Sequence, residues 1–205
     1  MSRRFSSADE TRAAILDAAE ELFRRVGYAK TAVADIAAAL HMSPANIYRF
    51  FPSKSAINNA ICDRLMATLR LEMQAAVERP GTASARLRDL ILTLNRRHRE
   101  VFTQERRVHD MVEAAMAENW ASIEAHIATC DSIAAGVIRD GIEAGEFAPG
   151  DAEALGETVM GACCSLLHPT VIAQCADEVD YERDAERVVW LLLEGLRNPN
   201  RSAMP

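Results

Sequence analysis

HMSPANIYRFFPSK, His41 to Lys54, is the stretch whose reading decides the fold. Ser43 is an N-cap with Pro44 at the first helical position, where a missing amide costs nothing. Ile47, Phe50 and Phe51 fall on one side of a helix over 43–51. Pro52 stops it, because proline has no amide donor and disfavours helical geometry in the residue before it. The other side carries Pro44, Ala45, Asn46, Tyr48 and Arg49.

Just upstream, Thr31 caps a second short helix whose buried positions are Val33, Ile36, Ala37 and Leu40. A tight turn at His41-Met42 separates the two. That is helix-turn-helix geometry, in which the second helix can enter the major groove of B-DNA, about 12 Å wide. Asn46 can pair with adenine or make single bonds to other bases, Pro44 and Ala45 offer apolar contact to a thymine methyl, and Arg49 reads guanine or clamps a phosphate. Tyr48 gives its hydroxyl to a phosphate, while Lys54 offers its ammonium and nearby backbone amides. Lys30 and Thr31 hold the opposite strand's backbone, and Ser43 completes the set of nine candidate DNA-binding residues. The competing reading is an ordinary three-helix corner with solvated polar residues.

The net charge of -7 argues against a nucleic-acid partner until it is divided along the chain. Residues 1–60 hold 8 basic against 6 acidic side chains, which leaves 15 against 24 for the remainder. Between Val26 and Asn59 the only acid is Asp35, and both lysines of the chain, Lys30 and Lys54, fall there. A locally basic head on an acidic body is enough for a footprint on DNA.

Apolar residues recur at helical spacing almost throughout the 205 residues, and alternating β-branched runs are absent, so the fold class is all-α with about nine helices. Ser7 or Asp9 caps a first helix with a stripe of Ile15, Ala19, Leu22 and Phe23 that ends at Gly27. Ser53 caps a long helix to about Arg79, and Pro80-Gly81 marks the boundary between head and body. The expected organisation is a head over 1–54, a connecting helix over 55–79 and a body over 80–205. The body's helices run from Ser84 to about Thr103, Arg106 to Ala117, Asn119 to Ala144, Asp151 to Cys175 and Tyr181 to Leu196. The run VVWLLL, Val188 to Leu193, is apolar around most of its circumference, more than one chain's core demands.

The five cysteines (Cys62, Cys130, Cys163, Cys164, Cys175) show no zinc-type spacing and read as reduced, small apolar residues, although the adjacent pair Cys163-Cys164 also suits a redox sensor. The arginines around His98 read as a solvated face. No Ser/His/Asp arrangement, paired inward carboxylates or glycine loop for phosphate is present, so neither enzyme activity nor a cofactor or metal is expected. No apolar run approaches the roughly 20 residues of a membrane span, and MSRRFSSADETR lacks a signal-like core, which predicts a cytoplasmic protein.

The segment GYAKTAVADIAAALHMSPANIYRFFPSKSAI, with TRAAILDAAEELF before it, resembles the DNA-binding domain of TetR-family transcriptional regulators over residues 9–60. The match lies in Thr31, Asp35-Ile36-Ala37, Ser43-Pro44, Ile47-Tyr48, Phe51 and Lys54. GIEAGEF, Gly141 to Phe147, is similar to a stretch near the end of that family's seventh helix. Two departures stand out: His41 replaces the turn glycine, and Ala45-Asn46 replaces Gly-Thr, so no operator sequence carries over.

The resemblance implies a homodimer on a palindromic operator of double-stranded DNA, with the last two helices of each chain forming a four-helix bundle. Leu155, Val159, Ala162, Leu166, Val189, Leu192, Leu193 and Leu196 are the interface candidates, and their apolar excess suits that role by itself. It also implies a pocket in the body for a small-molecule effector, with His98, Phe102, Met111, Met116, Trp120, His126, Cys163 and His168 as its candidates. Their mix of thioether, aromatic and few polar groups suits a mostly hydrophobic ligand. The expected function is a ligand-responsive repressor; an activator or co-regulator with the same head, or a helical ligand-binding protein without specific DNA binding, are the alternatives.

Overall fold

A computed structural model describes residues 7–100, 106–118, 120–175 and 180–198. Among these the regular structure is helical throughout: α1 (Ala8–Val26), α2 (Val33–Ala39), α3 (Pro44–Tyr48), α4 (Lys54–Val77), α5 (Ala83–Arg99), α6 (Arg106–Glu118), α7 (Trp120–Glu143), α8 (Ala152–Ala162), α9 (Cys164–Leu167), α10 (Pro169–Cys175) and α11 (Tyr181–Arg197). The all-α expectation holds, and the count rises from about nine to eleven among the described residues because the stretch expected as one helix over 151–175 is three. Pro169 accounts for one break: it holds His168 at φ -73, ψ 124, outside the helical region. The other break falls at Cys163, where ψ opens to 3.

The chain forms two compact units. The first contains residues 7–66 together with 106–118 and 120–123; the second contains 67–100, 124–175 and 180–198. The division falls inside α4, between Met66 and Ala67, within the connecting helix expected over 55–79, and α6 groups with the head despite its distance along the chain. The reason lies in the side chains of α6. Val108, Met111, Val112 and Ala115 are buried, and Met111 joins Ile15, Phe23, Ile36, Ile47, Phe51, Ile57 and Ile61 in one core. Each such fully buried side chain contributes about 1.5–3 kcal/mol of transfer free energy. Asn58, wholly buried, donates from Nδ2 to the Met111 carbonyl at 2.9 Å, which partners its amide nitrogen while its Oδ1 is left without a hydrogen bond.

Ser7 caps α1, its Oγ accepting from the Glu10 amide at 3.1 Å. Across the same unit, Arg64 of α4 bonds Asp17 at 2.6 Å and also Glu20, tying α4 to α1.

In the second unit Leu87, Leu90, Ile91, Leu94, Ala134, Ile138, Val159, Val189 and Leu196 share a core. The GIEAGEF segment contributes Phe147 to it, and four of the segment's residues have identifiable tasks. Gly145, at φ 71, is the left-handed residue that terminates the α7 turn. A Cβ on Gly141 would stand 2.3 Å from the Phe147 ring and 2.8 Å from Ala83 Cβ, so only glycine lets the buried phenyl seat there. Glu146 accepts from the amides of Ala83 at 2.7 Å and Ser84 at 2.9 Å, supplying a carboxylate to the amino end of α5. Those hydrogen bonds outweigh partial desolvation and lower its pKa.

The carbonyls freed where α9 ends are also met by side chains. Asn95 Nδ2 donates to Leu166 O at 2.9 Å, and His98 Nδ1 lies 2.7 Å from Leu167 O. A carbonyl only accepts, so Nδ1 carries the ring proton.

Candidate nucleic-acid interface

The turn between α2 and α3 is a Schellman motif built without glycine. The Met42 amide donates to Ala37 O at 2.8 Å and the His41 amide to Ala38 O at 3.1 Å, with His41 left-handed at φ 55. Ser43 then caps α3, its Oγ accepting from the Asn46 amide at 3.3 Å. The helix proper ends at Tyr48, short of the 43–51 expected, and continues as a turn in which the Phe51 amide still reaches Ile47 O.

Ile47 and Phe51 are buried behind α3, while Pro44, Ala45, Tyr48 and Arg49 are exposed and Asn46 is half-exposed. Tyr48 retains 52% of its surface, a large aromatic facing water with no partner in the first unit's core. Ser43 and Lys30 are exposed as well. Seven of the nine DNA-binding candidates thus occupy accessible positions.

The other two sit differently. Thr31 is 2% exposed and donates from Oγ1 to Gly27 O at 2.8 Å, so its hydroxyl braces the α1–α2 loop instead of facing a duplex. Nor does it cap α2: Asp35 does, accepting from the Ala32 amide at 2.8 Å. Lys54 donates from Nζ to Tyr28 O at 2.9 Å with the ammonium 4.4 Å from the Tyr28 ring centroid. Its charge is spent on holding the loop that carries Lys30.

Sequence reasoning passed over two anchors of this surface. Arg12 of α1 donates to Phe50 O at 3.1 Å and lies 4.2 Å from the Phe51 ring centroid, fixing the carboxyl end of α3. Its position on the polar side of α1 gave no sign of a partner 38 residues away. Glu118, at the end of α6, accepts from Ser55 Oγ at 2.6 Å and Tyr28 Oη at 3.3 Å. Burial first, and the Glu118 carboxylate second, push the Tyr28 phenol up to about 12.

The body-pocket candidates do not form one group. Met111 and Met116 belong to α6 and therefore to the first unit, Met111 as a core residue, which corrects their assignment to a pocket of the body. Phe102 lies outside the described residues, as does the Trp120 side chain. Four remain in the second unit. His98 and His126 face each other with ring centroids 6.5 Å apart. Burial lowers the pKa of both, that of His98 to about 4, so each is a neutral imidazole. Cys163 is fully buried with its thiol pushed up to about 12 by burial, and His168 Nδ1 is buried without a hydrogen-bond partner in the unit. A cleft of about 520 Å³ between the α4–α5 turn and α7, lined by Val77, Pro80, Arg86, Ser132, Gly136 and Asp140 among others, includes none of these candidates.

Of the arginines beside His98, Arg97 is paired, reaching Glu72 at 2.7 Å and Glu100 at 2.6 Å. Of the interface candidates, Val159, Leu166, Val189, Leu193 and Leu196 are buried in their own unit. Leu155 and Leu192 are half-buried and Ala162 is exposed, but the large apolar surface at this end is Trp190 and Leu191, 63% and 65% exposed. No helix among the described residues is long and apolar enough to cross a membrane.

Comparison with known proteins agrees with this geometry. Residues 15–61 match the family model described as bacterial regulatory proteins of the tetR family, and residues 83–189, more than half of the chain, match that of the tetracyclin repressor-like carboxy-terminal domain. No curated protein matches the chain in sequence. Among solved structures, a TetR-family transcriptional regulator of Pectobacterium atrosepticum is 22% identical with a TM-score of 0.75, covering 95% of this chain and 98% of its own. Thermus thermophilus FadR, a transcriptional repressor solved with lauroyl-CoA, is 24% identical with a TM-score of 0.64, covering 90% and 94%. SmeT, repressor of the Stenotrophomonas maltophilia multidrug efflux pump SmeDEF, is 20% identical with a TM-score of 0.67, covering 92% and 91%.

Proposed function

The chain belongs to the TetR family of bacterial regulatory proteins, and from that premise we propose that it is a repressor, bound as a homodimer to a palindromic operator and released by a small, mostly hydrophobic molecule. The observation that carries the reading is α3: a short helix held from behind by Ile47, Phe51 and Arg12, with Pro44, Ala45, Asn46, Tyr48 and Arg49 toward solvent. Rigid support matters because groove contacts discriminate bases only when donor and acceptor positions are fixed.

In this reading Asn46 and Ala45 meet base edges, Arg49 meets a base or phosphate, and Tyr48 and Lys30 meet the backbone. Lys54 and Thr31 act one step back, by shaping the loop that presents Lys30. Release follows if the effector binds the second unit better in a dimer state whose heads no longer span successive grooves; its differential affinity for the two states sets the size of the switch. The Thermus thermophilus relative solved with lauroyl-CoA supports an effector that carries an apolar chain.

The test is a gel shift on the DNA upstream of the protein's own gene against random DNA at the same salt. Specific binding at least about 1,000-fold tighter than non-specific is expected of a site-specific regulator. Equal affinity for both DNAs refutes the repressor reading.

A further inference from the structure

Inside the second unit, a thioether and an imidazole nitrogen both lie against one buried thiol, that of Cys130. Met73 of α4 is fully buried and Cys130 of α7 retains 6% of its surface. Cys130 Sγ lies 4.0 Å from Met73 Sδ and 3.7 Å from Nε2 of His126, one turn earlier on the same helix. An ion in the plane of its donors, about 2.3 Å from each sulfur and about 2.0 Å from nitrogen, sets the sulfurs about 4.0 Å apart and the nitrogen about 3.7 Å from a sulfur. The two separations from Cys130 have these values. Ordinary contact spaces sulfur atoms in the same range, so the identity of the donors decides the matter.

No three His, Cys, Asp or Glu side chains among the described residues converge as a zinc or hard-cation site requires. Here two such groups combine with a thioether, a donor set that favours monovalent copper over zinc, magnesium or calcium. We propose that Met73, His126 and Cys130 form a three-coordinate site for a cuprous ion.

Several features of the surroundings suit that ion. The apolar core around Met73 and Cys130 excludes water and so disfavours the hydrated cupric state. His126 is half-buried, which leaves a path for entry. On binding, the Cys130 thiol forms a copper–sulfur bond and releases its proton to solvent; copper stays monovalent, so no oxidant or reductant enters. The proposal does not rest on the DNA reading, because it is tested by the ion alone.

The experiment is an anaerobic titration of the full reduced chain against copper(I) held by bicinchoninate. The chain is expected to withdraw one tight equivalent per protomer, with a copper K-edge spectrum of two sulfurs near about 2.3 Å and one nitrogen near about 2.0 Å. Met73→Leu and Cys130→Ala should each lose that equivalent, whereas Cys164→Ser, at an exposed thiol, should keep it. Copper left with the chelator overturns the site, as does retention by both Met73→Leu and Cys130→Ala, or loss in Cys164→Ser. If Cys130→Ala fails to fold, Met73→Leu, which nearly conserves volume, and the edge spectrum decide.

Discussion

Single side chains divide here into those left open to solvent and those that hold the backbone in place. Asn46, half-exposed on α3, is in the first class, and Asn46→Ala should change preference at one position of each half-site by about 1–3 kcal/mol, measured by binding to a set of singly substituted operators. His98 is in the second. Its pKa falls from the usual 6.5 to about 4 in the folded chain, so the unfolded state binds the proton first as pH drops. Stability should therefore decline as pH falls from about 6.5 toward 4, and His98→Asn, which can donate to the same Leu167 carbonyl without titrating, should flatten that decline in urea midpoints recorded across the range. The histidine on an apolar stripe was visible in the sequence. Its task was not, because the carbonyl it meets is exposed only by the helix break before Pro169, about seventy residues further on.

At the level of elements, the sequence was most legible where a local signal has one physical meaning. Pro44 after Ser43, Gly27, Gly145 and the 3.6-residue stripes predicted starts, stops and buried faces that the structure repeats. Legibility failed where a distant partner decides: Thr31 looked like a cap but donates backward to Gly27 O, and Met111 looked like a pocket residue but fills the head's core. The α2–α3 turn offers a clean test, since His41 occupies a left-handed conformation that disfavours side chains. His41→Gly should raise the unfolding free energy by about 1 kcal/mol, and His41→Val should lower it by at least as much, both read by chemical denaturation. The amino end of α5 offers another. Glu146→Ala removes the acceptor of the Ala83 and Ser84 amides and should cost about 1–2 kcal/mol, fading at acid pH as the wild-type carboxylate protonates.

For the whole molecule, the acidic charge of the chain gave less guidance than its distribution, and the apolar surplus at the carboxyl end gave the location of the patch but not its members. Trp190 and Leu191 present it, while the candidates Val189 and Leu193 turn inward. If that face joins two copies, Leu191→Glu should shift sedimentation from dimer to monomer, leave the helical circular dichroism unchanged, and weaken binding to a palindromic site far more than to a single half-site. The placement of α6 with the head also bears on biogenesis. A ribosome that has released only the first four helices has made α3 and its solvent-facing residues but not Met111, which completes the core behind them, nor Glu118, which fastens Tyr28 and Ser55. A chain halted before its sixth helix therefore emerges with the interior of its head incomplete.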